Sequence, residues 1–355
     1  MDYIKITGYK SIQDITLELK PINILIGANG SGKSNFISFF EFLNALQDRR
    51  LKEYVALRGG TEKLLHKGSE NTQNIEFETG FGNGINGYKS TLKLGDENFI
   101  FADEFLVFRG NKGRDISNFG TEANIKATDN YRAKYVREHL NGYRKYHFHD
   151  TSKNSPFSKM SNIINDQYYL YEDGSNLSAF LYNVYENHKV VYNRIIQTIQ
   201  SIAPYFSDFF FQPNQENHIR LQWKSKYTST IYGVSDLSDG TIRFIALTVL
   251  FMQPNLPSSI IIDEPELGLH PFAISKLAGM IMAVSAKKVQ VILATQSADL
   301  VNHFTPSDIV TVDQLNGESI FTRLDENNLK EWLDTYSVGD LWQRNILTGG
   351  QPNKY

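Results

Sequence analysis

Apolar and polar residues alternate at the start of the chain. Tyr3-Ile4-Lys5-Ile6 and Ile15-Thr16-Leu17-Glu18-Leu19 carry the two-residue period of half-buried strands joined by a turn. Ile22-Asn23-Ile24-Leu25-Ile26 is nearly continuous in apolar residues, which suits a central strand covered on both faces. A glycine-rich loop follows, and beyond it Phe36, Phe40 and Leu43 recur at helical spacing through about residue 47. Strand patterns return over 73–109, including Gln73-Asn74-Ile75-Glu76-Phe77-Glu78 and Asn98-Phe99-Ile100-Phe101, before a Gly/Asn-rich loop at 110–121. The stretch 122–205 reads mostly helical, with its clearest helix over Leu177–Ile202. Two further strands at 207–212 and 218–223 read as a hairpin.

From Leu237 the α/β rhythm resumes. A helix over 240–252 precedes the strand Ser259-Ile260-Ile261-Ile262-Asp263. Pro271 then opens a helix at a position where a missing N–H costs nothing, with Ile274, Leu277, Ile281 and Val284 along one side. The strand Val289–Ala294 comes next, and two short strands and a helix close the chain. This order predicts an α/β fold. One nucleotide-binding core, residues 1–121 and 236–355, is interrupted by a mostly helical lobe with a hairpin, residues 122–235. There is no internal repeat and no heptad run long enough for a coiled-coil arm.

Composition narrows the function. The chain of 355 residues is 41% hydrophobic and 21% charged, with a net charge of −3, so it is neither disordered nor basic overall. Nucleic-acid contact would have to come from a local patch. The absence of cysteine excludes disulfides and thiolate metal sites. The start reads as a strand rather than a secretory signal, and no apolar run reaches the roughly 18 residues of a membrane span. A soluble, cytoplasmic protein with no membrane partner is expected.

Gly27-Ala28-Asn29-Gly30-Ser31-Gly32-Lys33-Ser34 fits the phosphate-loop pattern G-x-x-x-x-G-K-[ST], with an apolar strand leading in and an amphipathic helix leading out. Glycines let the backbone aim its N–H groups at phosphates, and the helix start adds partial positive charge. Gly27, Asn29, Gly30, Ser31, Gly32, Lys33, Ser34 and the following Asn35 are therefore the candidate nucleotide-binding residues. Lys33 is placed to reach the β- and γ-phosphates and Ser34 to ligate Mg²⁺. ATP and Mg²⁺ are the expected ligands. The buried strand 259–263 ends in Asp263-Glu264, and carboxylates beside such a strand need a cationic partner. Asp263 would hold the metal through water, and Glu264 would act as general base on the attacking water.

The residues also carry a family resemblance. Leu237-Ser238-Asp239-Gly240-Thr241 resembles the ABC signature L-S-G-G-Q with two departures, and Asp263-Glu264-Pro265 resembles an ABC Walker B end. Ala294-Thr295-Gln296-Ser297 closes a strand where ABC proteins place a switch histidine. Gly8-Tyr9-Lys10-Ser11-Ile12 looks like the opening of SMC and RecF-type proteins. The run Asp263-Glu264-Pro265-Glu266-Leu267-Gly268-Leu269-His270-Pro271 is typical of the OLD-like group of AAA family ATPases. The resemblance covers about 1–80 and 235–345 and touches the lobe only loosely. It implies an ABC/SMC-head-type P-loop ATPase in which two copies sandwich two ATP molecules head to tail. Ser238, Asp239 and Gly240 of one copy would then approach the nucleotide held by Lys33 of the other.

The same resemblance implies anti-phage defence or DNA repair, with a separate nuclease or toxin-like effector and assembly beyond the dimer. The stretch after the switch strand is too short for the TOPRIM nuclease of OLD proteins, so no nuclease in the same chain is expected. Gln296 can hydrogen-bond a γ-phosphate but cannot carry a proton charge, and strand-end packing is its competing role. Asp150, in the turn His149–Ser152, stands near where the family has its glutamine loop, and ordinary turn chemistry accounts for it as well. His270 fits either an interface or a helix start. Arg132, Lys134, Arg137, Arg144 and Lys145, interleaved with Tyr131, Tyr135, Tyr143 and Tyr146, form a basic and aromatic run suited to DNA or to a solvated face. His147 and His149 share one strand face, where packing competes with a metal site. A transporter ATPase subunit and a nucleotide-sensing scaffold are the competing functions, and the long lobe argues against the transporter.

Overall fold

The computed structural model describes residues 1–350. Strands β1 (Tyr3–Tyr9) and β2 (Ile12–Glu18) form an antiparallel hairpin whose turn places Lys10 at φ 49°, in the left-handed region. Strand β3 (Ile22–Ile26) is buried at every position and leads through the glycine-rich loop into α1 (Lys33–Gln47). Next come α2 (Leu51–Leu57), β4 (Asn74–Phe81), β5 (Asn86–Leu94), β6 (Phe99–Phe108), β7 (Asn111–Asp115), α3 (Tyr131–Leu140) and β8 (Tyr143–Tyr146). The middle of the chain holds β9 (Ser161–Asn162), α4 (Leu177–Asn187), α5 (Lys189–Ile202), β10 (Phe206–Phe210), β11 (His218–Ile219), β12 (Gln222–Ser225) and β13 (Ile231–Gly233). The remainder is α6 (Asp239–Met252), β14 (Ser259–Asp263), α7 (Pro271–Ser285), β15 (Gln290–Thr295), α8 (Ala298–Val301), β16 (Ile309–Leu315), β17 (Glu318–Arg323), α9 (Glu326–Leu333) and α10 (Val338–Gln343).

These elements fall into two compact units. The first comprises residues 1–145, 258–261 and 290 onward; the second comprises 146–257 and 262–289, so the division passes through β14. Two six-stranded sheets belong to the first unit. One is antiparallel, in the order β2-β1-β4-β5-β6-β7; the other runs β17-β16-β3-β15-β14-β8. Here β3 is paired in parallel with β15 on one side and β16 on the other. All five of its residues are buried, so neither face meets solvent, which explains its nearly continuous apolar run. Aromatic side chains fill the core, among them Phe36, Phe39, Phe40, Phe42 and Phe77 with Tyr9 and Tyr88. Helix α3 buries Ala133, Val136 and Leu140 in this same core, although it lies in the stretch expected to be the inserted lobe.

In the second unit, α4 packs on α5, α5 on α6 and α6 on α7, beside a small β10-β12-β13 sheet. Three expectations for this part of the chain need correction. The span 147–176 holds no α-helix, only one 3₁₀ turn at Pro156–Ser158. Its backbone is held in turns by side chains such as Asp150, which accepts from Ser152 N (3.0 Å), and Asn176, whose oxygen accepts from Tyr171 N (2.8 Å) and whose amide donates to Asp166 O and Tyr169 O. Asp and Asn bonds of this sort compete directly with a helix. The helix expected over 177–202 breaks at His188 (φ −136°), which closes α4 and opens α5. The strand expected over 218–223 is split as well. β12 pairs with β10, while β11 pairs with β9.

Candidate functional site

In the first unit the site begins at the sheet. β3 and β15 run parallel with Ile26 opposite Thr295, so Gly27 and Gln296 leave neighbouring strands at the same end. Ligands of open α/β sheets sit at these carboxyl ends. The loop turns through Gly30 (φ 80°) and Gly32 (φ 110°), a conformation that favours glycine. At Gly32 a side chain is excluded twice, because a Cβ would also lie 1.9 Å from Ser319 Oγ. The Ser319 hydroxyl donates to Ser31 O (2.6 Å) and lies 2.7 Å from Ser11 Oγ, and Asn35 Nδ2 donates to Ser11 Oγ (2.8 Å). The loop is thus braced from behind by β17 and by the β1–β2 turn.

Lys33 is 5% exposed, and its ammonium donates to the carbonyls of Gly27 (2.7 Å) and Ala28 (2.9 Å). Ser34, Asn29 and Gly30 are exposed. Helix α1 starts without a side-chain cap and without an acid in its first turn, and the buried Ser31 hydroxyl makes no hydrogen bond among the described residues. Uncapped N–H groups at a 15-residue helix, a buried ammonium and an orphaned hydroxyl together form an anion cradle. These residues fit a triphosphate, and the exposed hydroxyl of Ser34 fits a divalent cation accompanying it.

The second unit holds the carboxylates and the signature-like turn. Asp263 ends β14, and its carbonyl accepts a hydrogen bond from His149 Nε2 (2.8 Å). His147 and His149 lie outside any strand, their rings stacked with centroids 4.4 Å apart. Among the described residues no group of three or more His, Asp or Glu side chains is placed to hold a metal by itself. Glu264 has φ 45°. A non-glycine residue there costs roughly 1–2 kcal/mol, and such strain concentrates where a side chain must be aimed.

Ser238 caps α6, its hydroxyl accepting from Thr241 N (3.2 Å), while Asp239 is exposed in the first turn. Gly240 lies so close to the Gly268 carbonyl that a Cβ would sit 2.4 Å from its oxygen. His270 caps α7, accepting from Phe272 N at Nδ1 (3.2 Å), so its helix-start role is the one observed. Ser238, Gly240, Gly268 and His270 front an open cavity of about 480 Å³.

The family match falls on this same stretch. Residues 22–302 match the protein family described as "AAA domain, putative AbiEii toxin, Type IV TA system". The chain belongs to this family. No curated protein matches it. Among solved structures, the fold is similar to an SMC head bound to the C-terminal winged-helix domain of ScpA, at 15% identity and TM-score 0.64, covering 93% of this chain and 99% of that one. It is also similar to a Pyrococcus furiosus SMC head with an extended coiled coil bound to the C-terminal domain of ScpA, at 16% identity and TM-score 0.55, covering 94% and 98%. This AAA domain therefore has the fold of an SMC-head-type P-loop ATPase.

Sequence reasoning missed three features of the chain. Arg243 is buried in α6 and donates to Phe148 O and His149 O (3.1 Å each) and to Leu267 O. It clasps the segment before Asp150 and the segment after Glu264 to α6. A single cation in the run Ile242-Arg243-Phe244-Ile245 was the available signal. Ser319 behind the loop had none. The third is the segment Trp342–Gly350, which lines the loop's open side.

The basic run is only partly available. Arg137 donates to Ile125 O (2.6 Å) and Thr128 O (2.9 Å), and Lys145 pairs with Glu41 (3.0 Å). Arg132 lies 3.9 Å from the Phe108 ring centroid, Lys134 is exposed and Arg144 is half-buried. Among the described residues no helix is long and apolar enough to cross a membrane.

Proposed function

We propose that the chain hydrolyses Mg-ATP as a head-to-tail dimer. Lys33 and the loop of one copy would hold the triphosphate, and Ser238, Asp239 and Gly240 of the other would face it. The observation that carries this reading is Lys33, an ammonium buried on two loop carbonyls at an uncapped helix start. That cradle favours a polyanion over any neutral ligand. Ser34 and Asp263 would hold Mg²⁺, which when bound neutralises charge on the phosphate oxygens. Glu264 would take the proton of the attacking water, Lys33 would hold the β- and γ-phosphates, and Gln296 would donate a hydrogen bond to the γ-phosphate. The nucleotide-binding set is Gly27, Asn29–Ser34 and Asn35.

The turnover would serve a DNA-related process, with anti-phage defence as the first reading and RecF/SMC-like repair as the second. The family description names a toxin of a toxin–antitoxin system, which favours defence. A separate effector is consistent with SMC heads, which are seen bound to a second protein. DNA would meet the basic run chiefly at the exposed Lys134 and the half-buried Arg132 on the Phe108 ring, since Arg137 and Lys145 bond to carbonyls and a carboxylate within the protein.

ATP turnover with and without duplex DNA tests this. DNA should stimulate the rate in a salt-sensitive manner. The double variant Arg132→Ala, Lys134→Ala should lower the slope of log affinity against log salt by about 2. An unchanged slope would remove α3 from the DNA surface, and a rate insensitive to Lys33→Ala would reject the ATPase reading.

A further inference from the structure

Beside the open side of its phosphate loop the first unit carries a chain segment that no motif predicted. Helix α10 ends at Gln343, and Asn345 adopts a left-handed conformation (φ 55°) that turns the chain back. Ile346 N then donates to Leu341 O (3.0 Å), a common helix-ending bond pattern in which Asn can take the left-handed position. The returning segment is tied down at several points. Trp342 Nε1 donates to Gly349 O (2.8 Å), Gly349 N donates to Asp313 Oδ1 (2.7 Å), and the Thr348 and Thr311 hydroxyls lie 2.7 Å apart. Gly349 itself has φ 82°, and a Cβ there would stand 3.0 Å from Thr311 Cβ. The segment is therefore a fixed strap anchored on β16.

The strap faces the loop across a cavity of about 560 Å³. Ala28, Asn29 and Gln296 line one side, and Trp342, Gln343 and Asn345 line the other. The lining holds four carboxamides and an indole and no carboxylate. Carboxamide N–H groups are neutral donors, suited to phosphate oxygens in a site whose fixed cation is already supplied by Lys33, while the indole N–H is engaged by Gly349 O. The volume lies within the usual range of a small-molecule site.

We propose that the strap Trp342–Gly350 is the wall of the nucleotide site at the terminal phosphate, and that Asn345 contacts that phosphate and so distinguishes ATP from ADP. The assignment rests on the phosphate-loop reading above, and it adds a specificity residue outside all of the loop, Walker-type and signature-like segments. A purely structural Asn345 would end α10 and hold the strap, and its loss would affect both nucleotides alike. Asn345→Gly separates the two, because it keeps the left-handed turn and removes the carboxamide.

Affinities for ATPγS and ADP are measured with Mg²⁺ by competition against a fluorescent nucleotide, on the full chain. Asn345→Gly should weaken ATPγS roughly tenfold and leave ADP within about twofold, with an unchanged thermal midpoint. Asn345→Asp, which keeps the turn and adds a negative charge, should weaken ATPγS further. Unchanged affinities in Asn345→Gly would reduce Asn345 to a helix terminator, and an equal loss for both nucleotides would reject terminal-phosphate recognition. Lys33→Ala is the control for the underlying reading. If it binds both nucleotides as the wild type does, the loop assignment fails independently of the strap.

Discussion

Lys33 and Glu264 are each held in a costly state. The ammonium of Lys33 is buried against carbonyls, and Glu264 sits at φ 45° immediately after a buried strand. Both observations favour groups aimed for chemistry. Glu264→Gln should lower the turnover rate by about 10²–10⁴ while ATP affinity stays within a few-fold, as rate and binding measurements on one preparation would show.

Lys10 supplies a pH signature at the same scale. Its burial, with Arg58 nearby, lowers its pKa from 10.5 to about 8, and its ammonium donates to Ser38 Oγ. The folded chain therefore binds fewer protons at this group than the unfolded chain between those two values. Stability rises with pH through that window, and the penalty is fully present below pH 8. The urea midpoint of the wild type should gain between pH 7.5 and 9.5 relative to Lys10→Met; identical pH dependence would contradict the shift.

At the element scale, the run β3–loop–α1 was legible because its signals are local. A strand with no solvent face reads as continuous apolar residues, the loop needs glycine at two left-handed positions, and α1 repeats its aromatic residues at helical spacing. The β14 end at Asp263-Glu264 was legible for the same reason. What escaped depends on partners distant in sequence. The strands β9 and β11 are two residues each and exist only as a pair, and the turns of 147–176 are set by individual Asp and Asn hydrogen bonds. The clasp of Arg243 joins residues 94 and 95 positions upstream to one 24 downstream, which no periodicity displays. Arg243→Met should lower stability by about 2–4 kcal/mol in urea unfolding, because three carbonyls lose a charged donor. A loss below about 1 kcal/mol would show that water replaces the guanidinium without cost.

At the scale of the whole molecule, the residues proposed to cradle the triphosphate lie in one compact unit, while those proposed to act in trans lie in the other together with Asp263 and Glu264. The phosphate loop, Gln296 and the strap belong to the first; Glu264, Ser238 and Gly240 belong to the second. In the proposed sandwich, assembly and turnover are one event, since ATP bound to one copy is completed by the signature-like turn of another. Light scattering of the Glu264→Gln variant at saturating Mg-ATP tests this most directly. The expected result is a monomer without nucleotide and a dimer or larger assembly with ATP, abolished by adding Lys33→Ala. A variant that binds ATP and remains monomeric would contradict the head-to-tail mechanism.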